Sequence, residues 1–321
     1  MSQHGETPAR PSAPAGGEPV AAIDCGTNST RLLIVDAHTR PLARLMRITR
    51  LGQGVDATGV LDPRAISRTV EVLSEYRKVM DELGVRAVRM AATSAVRDAA
   101  NGRAFLDAAG DAVGAPAELL SGEEEGRLAY AGATAGLGPG AADDVVVDIG
   151  GGSTELIVGT AQGLGVVSLR LGCVRLSERC FRHDPPDHGD LVAALAVIDA
   201  ELARAVAAVP ALGALQPGSR LIGLAGTVST LSMLDQRLAE YDWGRVHHSV
   251  LDLATVERWC TTLAREPARE RVRRPGMVEG REDVIVGGAL VLRSVMRRFA
   301  FDRCLVSESD ILDGLAASLH R

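Results

Sequence analysis

Two carboxylates hold the same place in two copies of one short pattern. Asp24 is followed by Gly26, Ser29 and Thr30, and Asp148 by Gly150, Ser153 and Thr154. Ala21–Val35 aligns on Val145–Gly159 without a gap. A turn of Gly, Ser and Thr exposes successive backbone N–H groups that hold anionic oxygens, and glycine lets the backbone approach them closely. The hydroxyls of Thr27, Ser29, Ser153 and Thr154 and the amide of Asn28 add donors, with Gly151 and Gly152 completing the second copy. Either loop alone is most often a structural turn. Two in register, each beside an aspartate, predict a phosphate cupped from both sides.

A carboxylate repels a phosphate unless a cation lies between them. Hard oxygen ligands beside phosphate oxygens suit Mg²⁺, so Asp148 and Asp24 are its expected ligands. Glu155 either reaches the same ion across the hairpin or stands exposed on a strand.

Ser121-Gly-Glu-Glu-Glu-Gly-Arg127 precedes a helical pattern. Acidic residues at a helix start are favoured by its dipole, which accounts for at least two of the three glutamates. A third, crowded by other carboxylates, has a raised pKa and suits a general base that activates water. Periodicity does not choose among Glu123, Glu124 and Glu125. At the end of a strand, Thr93, Ser94 and Arg97 complete an oxyanion cradle, the arginine fork stabilising the transferring group. Gly226 and Thr227 are either a third phosphate contact or a plain helix entry. His247 and His248, in a loop with Tyr241 and Trp243, read as a packing feature rather than ligands. Arg281 to Asp283 either line the cleft or start a helix. Arg170, Arg175, Arg273 and Arg274 either guide a polyanion or decorate the surface.

These residues need scaffolding. Each repeat copy reads as strand, tight turn and second strand. Between them, Asp62-Pro63 opens a helix whose apolar face is marked by Ile66, Val70, Leu73 and Leu83. Val85 to Thr93 reads as a strand, Asp190 to Val209 as a helix, and Leu221 to Ala225 as a buried strand entering another helix. Ser307 to Asp310 form a capping box for the last helix. Alternating strands and helices make the chain α/β, with linkers at 136–142 and 183–189.

The bulk properties narrow the class. A chain of 321 residues, 46% hydrophobic, suggests about two domains. Residues 1–19, rich in Pro, Gly and Ala, are expected to be a disordered tail. No apolar run is long enough for a membrane span, and no secretory signal is evident. A net charge of −6 disfavours nucleic acid as a partner. Lys78 is the only lysine, so neither Walker-type nor Schiff-base chemistry is available. Five scattered cysteines without metal-ligand spacing fit a reducing cytoplasm. Cys25, inside a glycine loop, reads as packing rather than as a nucleophile.

The motifs Ala21-Ala-Ile-Asp-Cys-Gly-Thr-Asn-Ser29, Ala92-Thr-Ser-Ala-Val-Arg97, Ser121-Gly-Glu-Glu-Glu-Gly-Arg127, Val147-Asp-Ile-Gly-Gly-Gly-Ser-Thr-Glu155 and Gly226-Thr227 occur in an order that resembles the exopolyphosphatase/guanosine pentaphosphate phosphohydrolase family in its short, two-domain form. The resemblance covers residues 20 to 321. It implies two ribonuclease H-like domains of the acetate kinase, sugar kinase, Hsp70 and actin fold with an interdomain active-site cleft. Domain I is expected over 20–124 plus 305–321 and domain II over 125–304. It further implies Mg²⁺-dependent release of terminal orthophosphate from inorganic polyphosphate by a cytoplasmic homodimer. The catalytic base of the family falls on Glu125, the metal and phosphate positions on Asp148 and Glu155, and the cradle on Asp24, Asn28, Ser29 and Arg97. Longer members carry a further helical C-terminal region, so short polyphosphates are the expected substrates here. The family's Gly-Leu-Arg-Glu-Gly reads Asp310-Ile-Leu-Asp-Gly314, which removes an arginine contact. Hydrolysis of guanosine pentaphosphate (pppGpp), a kinase on the same fold, and a non-catalytic sensor of polyphosphate or of pppGpp and ppGpp are the alternatives.

Overall fold

A computed structural model describes residues 18–138, 140 and 142–320. Most of the expected tail, residues 1–17, lies outside the described residues. Pro19 is already tied in, its carbonyl accepting from the Arg86 N–H.

Strand β1 (Val20–Cys25) runs antiparallel to β2 (Ser29–Val35), which pairs with β3 (Pro41–Ile48). On the other side of β1, β4 (Ala87–Ala92) and then β5 (Ala117–Leu119) lie parallel, giving the order β3-β2-β1-β4-β5. The second sheet repeats this wiring. A meander of β6 (Asp144–Ile149), β7 (Thr154–Thr160) and β8 (Gly163–Leu169) meets β9 (Arg220–Leu224), with β10 (Val250–Asp252) and β11 (Arg303–Val306) beyond. Its order is β10-β11-β9-β6-β7-β8. Three antiparallel strands followed by two parallel ones make each sheet ribonuclease H-like, the second carrying β10 as an added antiparallel edge. The two central strands are continuous apolar runs because helices cover both faces.

Two helices fill the space between the sheets, Gly122–Thr134 and Ile311–Ser318. They cross where Gly132 faces the Asp310 carbonyl and Gly314 the Leu128 carbonyl, and a Cβ at either glycine collides with that oxygen. The close crossing lets one apolar layer join the domains: Ala22 and Leu33 from the first sheet, Val146 and Ile157 from the second, and Ala129 and Leu315 from the helices. The β1–β2 and β6–β7 turns therefore face each other across a cleft.

Several local expectations change. Asp62 caps helix Pro63–Glu82 as read, but its buried face runs through Ala65, Thr69, Leu73, Tyr76 and Met80. Leu83 is the C-cap and is exposed. The last helix is capped by Asp310, answered by Asp313, while the Ser307 hydroxyl bonds to Ser309. Residues 305 and 306 belong to β11 in the second sheet, so the chain returns to the first domain only with the final helix. The 183–189 stretch is no loose linker, since Asp190 accepts from the N–H groups of Arg182 and His183. Among the described residues no helix is long and apolar enough to cross a membrane.

Candidate active site

Each glycine loop is turned by the segment that follows its domain's hairpin. In the first loop, the Thr27 carbonyl accepts from Gly52 N–H at 2.8 Å, and the Asn28 carbonyl from Thr49 and Arg50 at 3.1 and 2.9 Å. In the second, the Gly150 carbonyl accepts from Cys173 N–H at 2.9 Å and the Gly151 carbonyl from Val174 and Arg175 at 2.9 and 3.1 Å. A peptide's N–H points opposite to its carbonyl. The N–H groups of Asn28, Ser29, Gly151 and Gly152 are thus turned away from these anchors, toward the cleft. This is the geometry of an anion nest. The Asn28 Nδ2, buried without a partner, lines the same space.

The cleft gathers Asp24, Gly26, Thr27, Asn28, Ser29, Thr93, Glu125, Asp148, Gly150, Gly151, Gly152, Ser153 and Gly226 around a cavity of about 70 Å³. The two loops touch at one end, because a Cβ on Gly152 falls 2.7 Å from Ser94 Oγ and 2.8 Å from Thr27 Oγ1. Ser94 stands beside the second loop at this end. Thr154 and Thr227 lie behind the cleft surface, both buried, with Thr227 packed on Gly288.

The three glutamates divide by the face of their helix. Glu124 caps it with Ser121, and Glu123 pairs with Arg127 at 2.8 Å in solvent. Glu125 is buried and faces the cleft. Its carboxyl is held well above the usual range, chiefly by burial and then by the neighbouring Glu155 and Asp148. Arg97 reaches it at 3.4 Å and also donates to the Leu120 carbonyl at 2.9 Å. Asp148 and Glu155 sit opposite each other on β6 and β7. Burial first, and then Glu155, pushes Asp148 well up. Glu155 is pushed by burial to about 7, although the hydroxyls of Ser168 and Ser153 hold it down.

Asp24, expected as a metal ligand, has a basic partner. Its Oδ2 accepts from Arg31 Nε and Nη2 at 3.1 and 2.7 Å, and Arg31 also donates to Asp310. Asp24 already has a cation; its Oδ1 stays buried without a partner. Arg31 was present in the repeat but its role was missed: it occupies the position matched by Glu155. Asp310, at the first position of the departing motif, accepts from Arg31. Arg281 lines the cleft as one sequence reading had it, its guanidinium packed against Gly226.

The other candidates serve structure. Trp243, His247 and His248 stack at 4.3 and 3.7 Å, and His247 Nδ1 accepts from the Glu308 N–H. Arg274 pairs with Glu266 and lies over Trp259. Cys25 is buried, and burial drives its thiol upward, away from nucleophilic use.

Comparison with known proteins agrees with the geometry. The chain is 42% identical to exopolyphosphatase 2 of Mycobacterium tuberculosis over 94% of its own length and 98% of the relative's. It superposes on the crystal structure of an exopolyphosphatase-like protein with a TM-score of 0.89 at 33% identity, covering 94% and 99% of the two chains. For an exopolyphosphatase from Cytophaga hutchinsonii the TM-score is 0.84 at 28% identity, covering 94% and 98%. The model of the Ppx/GppA phosphatase family matches residues 32–320. With relatives aligned along nearly the whole of both chains and a cleft lined by both glycine loops, the chain belongs to the Ppx/GppA phosphatase family.

Proposed function

We propose that the protein is an exopolyphosphatase, releasing terminal orthophosphate from inorganic polyphosphate, short chains included, in a Mg²⁺-dependent reaction. One observation carries this reading: Glu125 alone of its cluster is buried at the cleft, opposite two loops whose N–H groups are turned inward. The loops hold the terminal phosphoryl and exclude bulk water. Glu125 accepts the proton of an attacking water, burial and the neighbouring carboxylates raising its basicity. Arg97 orients Glu125 and opposes charge on the phosphoryl oxygens. The departing polyphosphate is a stable anion and needs no strong acid.

The donor set fits a divalent ion. Asp148 and Glu155 are buried carboxylates facing each other, and among the described residues neither is paired with a basic side chain. Asp148 and Glu155 would hold Mg²⁺; when bound, it supplies neutralisation of the phosphate oxygens. The test is orthophosphate release across a ladder of polyphosphate lengths with Mg²⁺. Glu125→Gln is expected to fold normally and lose about 10²- to 10⁴-fold in turnover; turnover near wild type would reject the reading.

A specific feature favours the second reading, hydrolysis of pppGpp. A cavity of about 250 Å³ adjoins the cleft through Arg31, Arg281 and Gly226, with Met46, Met233 and Tyr241 on its apolar side. It offers room for a nucleoside beside the phosphate cup. Parallel assays with tripolyphosphate and pppGpp discriminate, and binding of either without turnover would point to a sensor.

A further inference from the structure

The second glycine loop is held from behind by a side chain outside the cleft lining. Arg175, in helix Cys173–Cys180, is 6% exposed. Its Nε donates to the Gly152 carbonyl at 2.7 Å. Its terminal nitrogens donate to Asp56 and Asp98, one each. Both acids belong to the first domain: Asp56 lies in the helical turn Val55–Thr58, and Asp98 ends the turn that carries Ser94 and Arg97. Glu178, from the same helix as Arg175, accepts from the Gly54 N–H at 3.0 Å. Arg170 comes no nearer to the two acids than 3.6 Å and stays largely in solvent.

The Gly152 carbonyl shares its peptide group with the Ser153 N–H. A guanidinium on that oxygen fixes the peptide plane, aims the N–H away from Arg175, and strengthens it as a donor by polarising the amide. The guanidinium is itself oriented by carboxylates across the domain boundary. The first loop is set differently, its carbonyls held by backbone N–H groups of residues 49, 50 and 52 within one domain.

We infer that Arg175 is a positioning residue for the second phosphate loop, and that Asp56 and Asp98 set it from the opposite domain. The last donor of the cup is then aimed when the two domains meet along this edge. The inference rests on reading the loop as a phosphate cradle.

The test uses the full chain with Mg²⁺ and tripolyphosphate. Binding is measured by calorimetry in a Glu125→Gln background, and KM and kcat in the otherwise native enzyme. Arg175→Gln and the double variant Asp56→Asn/Asp98→Asn are each expected to weaken binding and raise KM by about tenfold to a hundredfold. The triple variant should be no worse than Arg175→Gln alone. Arg175→Lys, which keeps the charge but cannot span three acceptors, falls between. Arg170→Gln changes neither KM nor binding. If Arg175→Gln fails to fold, the acid double variant, which retains Arg175, decides. A folded acid variant with native binding and KM, additive losses, or an Arg170→Gln as damaging as Arg175→Gln overturns the inference. A wild-type enzyme that binds tripolyphosphate without hydrolysing it refutes the hydrolase reading only, and the calorimetric comparison still decides the role of Arg175.

Discussion

The two halves of the cleft share one backbone pattern and differ in charge, the first carrying an ion pair and the second two carboxylates. Asp24 faces Arg31 across the first hairpin, and Asp148 faces Glu155 across the second, at the same place in the repeat. Burial raises both aspartates; Arg31 then pulls Asp24 down, whereas Glu155 pushes Asp148 further up. The first half therefore brings its own cation and the second lacks one. The duplicated scaffold supplies two matching cups of N–H groups, and a single reversal of sign leaves the second with two carboxylates and no basic partner among the described residues. The same contrast extends to closure, since the second loop has Gly152 where the first has Asn28, leaving room for Thr27 and Ser94 to approach.

The largest break in this contrast comes from removing charge on the acidic side. Glu155→Gln leaves the backbone cup in place but takes away one of the two carboxylates proposed to hold the metal. Mg²⁺ affinity is expected to fall by about tenfold to a hundredfold and orthophosphate release by about 10³-fold, or roughly 4 kcal/mol. Mg²⁺ titration followed by turnover at saturating metal measures both. Unchanged affinity would show that the acidic half is not the metal half.

The same pair gives a pH dependence with a definite sign. Glu155 titrates near 4.5 when unfolded and is raised to about 7 in the native chain. Between those values the native state holds a proton that the unfolded state has lost. Stability without metal should therefore decline as pH rises from about 4.5 to 7, by about 3 kcal/mol from this group. Denaturant melts at several pH values, compared with Glu155→Gln, isolate it. The wild type should show the steeper decline, and Mg²⁺ should reverse it at the upper end. Parallel slopes would mean that Glu155 is not held protonated.

Closure is probed by Gly152→Ala. The added Cβ meets Ser94 and Thr27 rather than a flexible chain end, so the loops must part. A loss of roughly tenfold to a hundredfold in kcat/KM is expected, because a displacement of about 1 Å costs that much. Asn28→Ala, at the matching place in the first loop, removes one donor and no clearance. Its smaller loss in the same assay sharpens the contrast; an equal loss would erase it.

How much of this was legible beforehand follows from range. The repeat, its hairpins and the Asp62 cap are local patterns, and they formed as the residues indicate. The metal-side pair was half legible, since Glu155 lies across its hairpin from Asp148. The glutamate run was not, because a cap, a solvent pair and a buried cleft carboxyl are separated only by the rotation of one helix against two sheets. Arg31 carried a readable signal, a change of sign within an otherwise matching repeat. Arg175 and Asp310 carried none. Their partners lie far away in sequence, and no periodicity links Arg175 to Asp56 or Arg31 to Asp310.

The smallest effect is expected on the self-neutralised side. Arg31 spans Asp24 and Asp310 with one planar fork, and both acids are nearly buried. Arg31→Lys keeps the charge but offers a point donor in place of the fork. The Asp24 bond survives and the reach to Asp310 weakens, costing about 1 kcal/mol of stability, read from chemical denaturation. Mg²⁺ affinity should stay native, because the charge beside Asp24 is unchanged. An altered Mg²⁺ affinity in this variant would place Asp24 among the metal's ligands and make the two halves of the cleft alike after all.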